Sequence, residues 1–169
     1  LVDIPQILYN VPGRTSVDMQ PETVLRLSTH KNIVGIKEAS GNKDRSLSLM
    51  KLCSKDIKIF TGDDKTSMSD ISDGFSGNIS VTANVAPLEM HQMCQSALEG
   101  DIENASKLNS NLDILHDLLF CESNPIPVKW CLHKMGLIKK GIRLPLTWMD
   151  SKYDELLNQA LIKAGISDE

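Results

Sequence analysis

The stretch Asn32-Ile33-Val34-Gly35-Ile36-Lys37-Glu38-Ala39-Ser40-Gly41-Asn42 decides how the rest of the chain is read. Ile33 to Ile36 is unbroken, apolar and dominated by β-branched residues. Such a run marks a parallel strand covered on both faces. Ala39 to Asn42 then turn the chain, and a helix is expected to follow. Lys37 is thereby delivered to the carboxyl end of a parallel strand, where α/β folds gather their chemistry. An amine at such a place is partly desolvated, which disfavours the ammonium form. A neutral amine attacks a ketone and forms a Schiff base. The stretch by itself also fits a lysine that snorkels from the strand end to water.

Working outward, Ile4 to Asn10 reads as a strand that ends in Leu8-Tyr9-Asn10. Val11-Pro12-Gly13-Arg14-Thr15 follows as a loop broken by Pro and Gly. Pro21 and Glu22 suit the first turn of a helix that carries Val24, Leu25 and Leu27 inward and stops near His30. Beyond Lys37, a helix is predicted from Lys43 to Cys53 with Leu47, Met50 and Cys53 on one stripe. A strand from Ile57 to Thr61, a turn at Gly62-Asp63-Asp64, a short helix from Thr66 to Asp73 and a strand from Asn78 to Thr82 complete the pattern. Strand–helix units in succession mean a parallel sheet with right-handed crossovers.

After that the periodicity is helical only. Met90, Met93, Cys94, Ala97 and Leu98 form one apolar face before Gly100. Ala105, Leu108, Leu112, Leu115 and Leu119 keep the spacing of a long amphipathic helix. Val128, Cys131, Leu132 and Met135 mark another, ended by Gly136. Tyr153, Leu156, Leu157, Ala160, Leu161 and Ala164 mark the last, ended by Gly165.

With 169 residues, 41 % hydrophobic and 24 % charged, the chain has the balance of a soluble globular protein. A net charge of −4 provides no basic field for nucleic acid or an anionic membrane. No apolar run approaches the roughly 20 residues of a membrane span. Cys53, Cys94, Cys121 and Cys131 contain no Cys-x-x-Cys pair and read mainly as reduced core residues. No secretory leader is read at the start, and the reduced cysteines make a cytoplasmic location the expectation. His30, His91, His116 and His133 lack metal-ligand spacing and read as helix-surface residues. The chain opens at Leu1 rather than Met, on the lip of a strand, and an earlier portion is expected to be absent.

The polar residues at the predicted strand ends all fall on one side of the sheet: Tyr9 and Asn10, Lys37 and Glu38, Asp63 and Asp64, Ser80 and Thr82. Tyr9 suits proton transfer at a carbinolamine on Lys37, or a packed aromatic with a wet hydroxyl. Arg14 suits a carboxylate clamp, or a solvated surface position. Asp63 and Asp64 suit a divalent cation, or the cap of the next helix, which is the commoner role.

Tyr9-Asn10-Val11-Pro12-Gly13-Arg14-Thr15, Gly35-Ile36-Lys37-Glu38-Ala39, Thr61-Gly62-Asp63-Asp64, Gly77-Asn78-Ile79-Ser80-Val81-Thr82-Ala83-Asn84 and Asn124-Pro125-Ile126-Pro127-Val128-Lys129 together resemble dihydrodipicolinate synthase, also called 4-hydroxy-tetrahydrodipicolinate synthase. The resemblance implies an α/β fold: the second half of a (β/α)8 TIM barrel followed by a C-terminal helical subdomain. Residues 1–84 would supply strands 5–8 with their helices, and residues 85–169 the last barrel helix and the subdomain. The first four strands of the family pattern have no counterpart.

The activity implied is a class I, Schiff-base condensation of pyruvate with L-aspartate 4-semialdehyde in lysine and diaminopimelate synthesis. Lys37 matches the lysine that forms the imine with pyruvate, so no cofactor or metal is implied. Tyr9 matches the proton-passing tyrosine, and Arg14 the arginine that guides the semialdehyde carboxylate. Gly62 and Ile79 match positions whose backbone contacts the substrates. The family's further proton relay and most of its lysine feedback site fall in the unmatched half. Homotetramers are implied by the resemblance. Sialic acid lyase and sugar-acid aldolases share the lysine and tyrosine, and the Pro-x-Arg-Thr turn favours the synthase. A metal-dependent lyase using Glu38, Asp63 and Asp64, and an inactive half barrel, are the competing readings. This chain alone is expected to turn over little.

Overall fold

The computed structural model describes residues 3–167; Leu1, where the chain opens, lies outside the described residues. The chain divides into two units, Leu1–Ser80 with Ser96–Ile102, and Val81–Gln95 with Glu103–Glu169.

In the first unit the strand β1 (Gln6–Asn10) leads through α1 (Pro12–Thr15) and α2 (Pro21–Ser28) to β2 (Ile33–Glu38). The helix α3 (Lys43–Cys53), the strand β3 (Lys58–Thr61) and the helix α4 (Ser67–Ser72) follow. Among the described residues the sheet has three strands in the order β1-β2-β3, all parallel. Each connection passes through helix, as parallel pairing requires. Pro21 stands at the start of α2, where its missing N–H costs nothing. The Asn42 side chain accepts the Arg45 amide and caps α3.

The central strand carries the core. Ile36 is fully buried, with Ile59 on β3 and Val24, Leu49 and Cys53 on the helices also at the bottom of the exposure scale. Several expectations are corrected here. The segment Val11–Thr15 is not an irregular loop throughout, since Pro12–Thr15 closes one helical turn. Leu27 of α2 is exposed. On α3 the inward residues are Arg45, Ser46, Leu49 and Cys53, and Leu47 faces out. Arg45 turns inward to meet a buried carboxylate, and Leu47 lies about 200° further round the helix.

No fourth strand forms over Asn78–Thr82. Asn78 makes a single parallel bridge to Thr61. The Thr61 amide donates to the Gly77 carbonyl at 3.0 Å, and the Ile79 amide to the Thr61 carbonyl at 2.9 Å. Val81 is already in the right-handed helical region, and Thr82–Asn84 closes a 3-10 turn.

The second unit takes in most of α5 (Pro87–Glu99) and nearly all of α6 (Ile102–Leu118), together with α7 (Ile126–Lys134) and α8 (Asp154–Lys163). Ala105, Leu112, Leu115 and Leu119 are buried as their spacing predicts, as are Leu157, Ala160, Leu161 and Ala164. Leu156 faces out. His116 is buried, not on the surface: its Nδ1 lies 2.9 Å from the Thr82 hydroxyl. Trp130 is a further buried residue of α7. The four cysteines are free thiols. Burial pushes the Cys131 thiol up to about 12, with Cys121 adding to the effect. Among the described residues no helix is long and apolar enough to cross a membrane.

The burial pattern of β2 predicts a sharp contrast. Ile36→Ala should cost roughly 2–5 kcal/mol, because it empties space between packed layers. Val34→Ala, at a position 39 % exposed, should cost much less. Urea unfolding of the two variants measures the difference, and equal losses would contradict the placement of the core.

Candidate active site

The carboxyl ends of β1, β2 and β3 share one rim of the parallel sheet. The register sets Tyr9 opposite Lys37 and Asn10 opposite Glu38, with Lys37 opposite Phe60 and Glu38 opposite Thr61. Side chains alternate between faces along a strand. Tyr9 and Lys37 therefore share one face, and Asn10 and Glu38 the other.

On the first face the Lys37 ammonium nitrogen lies 4.5 Å from the centroid of the Tyr9 ring. The contact is to the ring face, so the quadrupole attracts the cation and draws the flexible side chain towards Tyr9. Lys37 is half-buried and Tyr9 is 49 % exposed. Gly62, just past β3, closes the other side. A Cβ built there would sit 2.4 Å from Lys37 Cε and 2.8 Å from the Ala39 Cβ. Only glycine leaves room for the lysine chain in this position.

The resemblance assigns Gly62 and Ile79 backbone contacts to the substrates. The Gly62 amide donates to the Glu38 carbonyl at 2.6 Å, and the Ile79 amide is held by Thr61. With both amides committed to the sheet, any backbone contact to a ligand falls to their carbonyls. The Ile79 side chain is 41 % exposed. Arg14 lies on α1, exposed, in the segment that begins directly after Asn10.

On the opposite face Glu38 is buried and fully engaged. Its Oε2 accepts from Arg45 Nε at 2.6 Å, and its Oε1 from the Ser40 amide at 2.8 Å. Asn10 Nδ2 donates to both oxygens, at 3.2 and 3.1 Å. The set of Glu38, Asp63 and Asp64 does not form a cation site. Asp64 Oδ1 accepts from Asn78, and Asp63 Oδ1 from the Lys65 amide. Among the described residues no three His, Cys, Asp or Glu side chains are grouped to hold a metal. The residue at the N-cap of α4 is Thr66, whose side chain makes no capping bond; Asp63 Oδ1 instead holds the turn that enters the helix through the Lys65 amide, and the Asp64 carbonyl accepts from Ser67. Arg45, with Asp18 Oδ1 3.1 Å from its Nη1, is a part of the Glu38 cluster that the motifs do not point to. The available signal was Glu38 itself, since a carboxylate on the covered face of a strand requires a nearby cation, and Arg45 opens the next helix.

The chain as a whole is similar to known proteins. The model of the dihydrodipicolinate synthetase family matches residues 1–164. A 4-hydroxy-tetrahydrodipicolinate synthase of Pseudomonas putida is 57 % identical over 165 residues, covering 98 % of this chain and 56 % of the relative. That of Thioalkalivibrio sulfidiphilus is 54 % identical, with the same coverage. The crystal structure of the chloride-inhibited dihydrodipicolinate synthase from Acinetobacter baumannii complexed with pyruvate superposes with a TM-score of 0.96 at 50 % identity, over 98 % of this chain and 57 % of that one. The Thermotoga maritima dihydrodipicolinate synthase gives 0.95 at 38 % identity, over 98 % and 58 %. The chain thus spans a little over half the length of these relatives. A match of that extent, joined to the lysine, tyrosine and glycine gathered at one sheet rim, means that the chain belongs to the dihydrodipicolinate synthetase family.

Proposed function

We propose that this chain carries the Schiff-base half of a 4-hydroxy-tetrahydrodipicolinate synthase, which condenses pyruvate with L-aspartate 4-semialdehyde. The observation that carries the reading is the Lys37 amine held over the Tyr9 ring, beside a glycine that makes room for it. The names of the relatives, and the pyruvate in the Acinetobacter complex, support the substrate.

In this reading the Lys37 nitrogen adds to the keto carbon of pyruvate to give a carbinolamine. Loss of water leaves the imine, and loss of a methyl proton gives the enamine carbon that attacks the aldehyde. Tyr9 passes protons at the carbinolamine. The Gly62 and Ile79 carbonyls face the bound substrates. Arg14 receives the semialdehyde carboxylate on its planar fork. The imine on Lys37 is the electron sink for the carbanion formed when the methyl proton leaves, and the reaction as drawn uses no added cofactor.

The same proposal extends to architecture. Residues 1–84 supply strands 5–8 of a (β/α)8 barrel with their helices, the short Gly77–Ile79 segment standing where the last strand ends. Residues 85–169 supply the last barrel helix and a C-terminal helical subdomain, in a cytoplasmic homotetramer. Ile7 and Tyr9 of the edge strand β1 are about half exposed. A closed barrel would cover that edge. Assayed alone, residues 1–169 would leave it open and would turn over little.

In the complete enzyme, borohydride with pyruvate should add one three-carbon mass to the peptide containing Lys37. Lys37→Ala should abolish the adduct, and a persistent adduct or a label elsewhere would refute the assignment.

Gly62 and Arg14 should fail in different ways. Gly62→Ala forces the lysine chain aside and should lower kcat about 10²-fold, with imine trapping slowed in parallel. Arg14→Ala should raise the semialdehyde KM about tenfold or more while pyruvate trapping stays intact. Steady-state kinetics beside single-turnover trapping separate the two patterns. Equal loss of pyruvate binding in Arg14→Ala would count against its role.

A further inference from the structure

Behind the face that carries Lys37 lies a buried polar cluster which the Schiff-base chemistry does not use. Asn10 and Glu38 are 2 % and 3 % exposed, and Arg45 is 8 % exposed. Beyond its bond to Glu38, Arg45 lies 3.1 Å from Asp18 Oδ1 through Nη1, and its Nη2 donates to the Met19 carbonyl. Asn10 completes the ring. Its Nδ2 also donates to Asp18 Oδ1 at 3.0 Å, and its Oδ1 accepts the Met19 amide at 2.9 Å.

A buried carboxylate–guanidinium pair is costly to desolvate, and it is tolerated when further hydrogen bonds fill the remaining positions. Apart from the Ser40 amide at the end of β2 itself, those further bonds go to the two ends of one segment. The chain departs at Asn10 and returns at Asp18 and Met19, and both ends are tied to the same pair. Arg14 lies between them on α1, a single turn none of whose residues is buried. With no buried side chain in that turn and only Val11 and Pro12 half-buried, the bonds at its two ends are the strongest ties on its position.

We infer that the Asn10–Glu38–Arg45 cluster is the anchor of the segment 11–20 at the ends of β1 and β2. Glu38 and Arg45 are then positioning residues for the carboxylate-bearing aldehyde that Arg14 receives, and not for imine formation. The substrate part of this inference rests on the Schiff-base reading; the anchoring does not.

The test compares Glu38→Gln and Asp18→Asn in the complete enzyme with the parent. Glu38→Gln keeps the shape and removes the charge. Asp18 is 45 % exposed, so its variant keeps the test open if Glu38→Gln fails to fold. Amide hydrogen exchange should speed up through residues 11–20 and stay unchanged in α3. Pyruvate trapping on Lys37 should remain within about threefold of the parent, and the aldehyde KM should rise about tenfold or more in Glu38→Gln, less in Asp18→Asn. Adding Arg14→Ala to Glu38→Gln should cost little beyond Arg14→Ala alone, because both act through one segment.

Unchanged exchange at 11–20 in the folded variants overturns the anchor. An unchanged aldehyde KM, a parallel fall in trapping, or full additivity with Arg14→Ala overturns the positioning role. If the parent traps no pyruvate, the Schiff-base reading is what fails, and hydrogen exchange decides the anchor by itself.

Discussion

The last two rungs between β1 and β2 are the constraint on which the candidate site depends. Tyr9 pairs with Lys37 and Asn10 with Glu38, and alternation sends the two pairs to opposite faces. A slip of one residue would move every side chain of β1 to the other face. The tyrosine would leave the lysine, and the asparagine would leave the carboxylate. The ladder continues past the named strands: the Ala39 amide donates to the Asn10 carbonyl at 2.9 Å, and the Gly62 amide to Glu38. The lysine face and the carboxylate face are therefore fixed by the same hydrogen bonds.

The two faces obey different electrostatic rules. On the lysine face, a half-buried amine meets an aromatic ring and a residue without a side chain. On the other face the carboxylate of the next residue is surrounded by donors from Asn10, Ser40 and Arg45. Neighbours in sequence thus have opposite fates. Lys37 is kept available, and Glu38 is consumed by structure. Glu38 cannot serve as a cation ligand without first breaking the pair with Arg45, and leaving a guanidinium buried alone is strongly unfavourable.

Much of this could be read along the chain. The apolar run Ile33–Ile36, the boundaries of α3, the proline at the head of α2 and the glycines at 100, 136 and 165 follow from neighbours within a few residues. Those glycines all adopt positive φ, between 72° and 81°, which only a residue without Cβ takes easily. The family motifs, and with them the lysine and tyrosine, were also evident from residue order. The face of α3 was not. Leu47 fits an apolar stripe as well as Leu49 does, and the choice fell to Arg45, whose partner Glu38 lies on another element. The same holds for Leu27, Leu98 and Leu156, apolar residues at helical spacing that nonetheless face out.

Sequence by itself determined the kinds of element and most of their ends, because those depend on local hydrogen bonds, caps and side-chain period. It also determined which residue types stand at the strand ends. Tertiary structure decided which of them meet. Arg45 reaches the Met19 carbonyl across 26 positions, and His116 reaches Thr82 across 34. It also decided that the chain after Asn78 turns into a 3-10 helix instead of extending, since the local preference of Ile79 to Thr82 for strand is outweighed once Val81 enters the helical region. Contacts of that range depend on how whole elements pack, and local spacing carries no record of it.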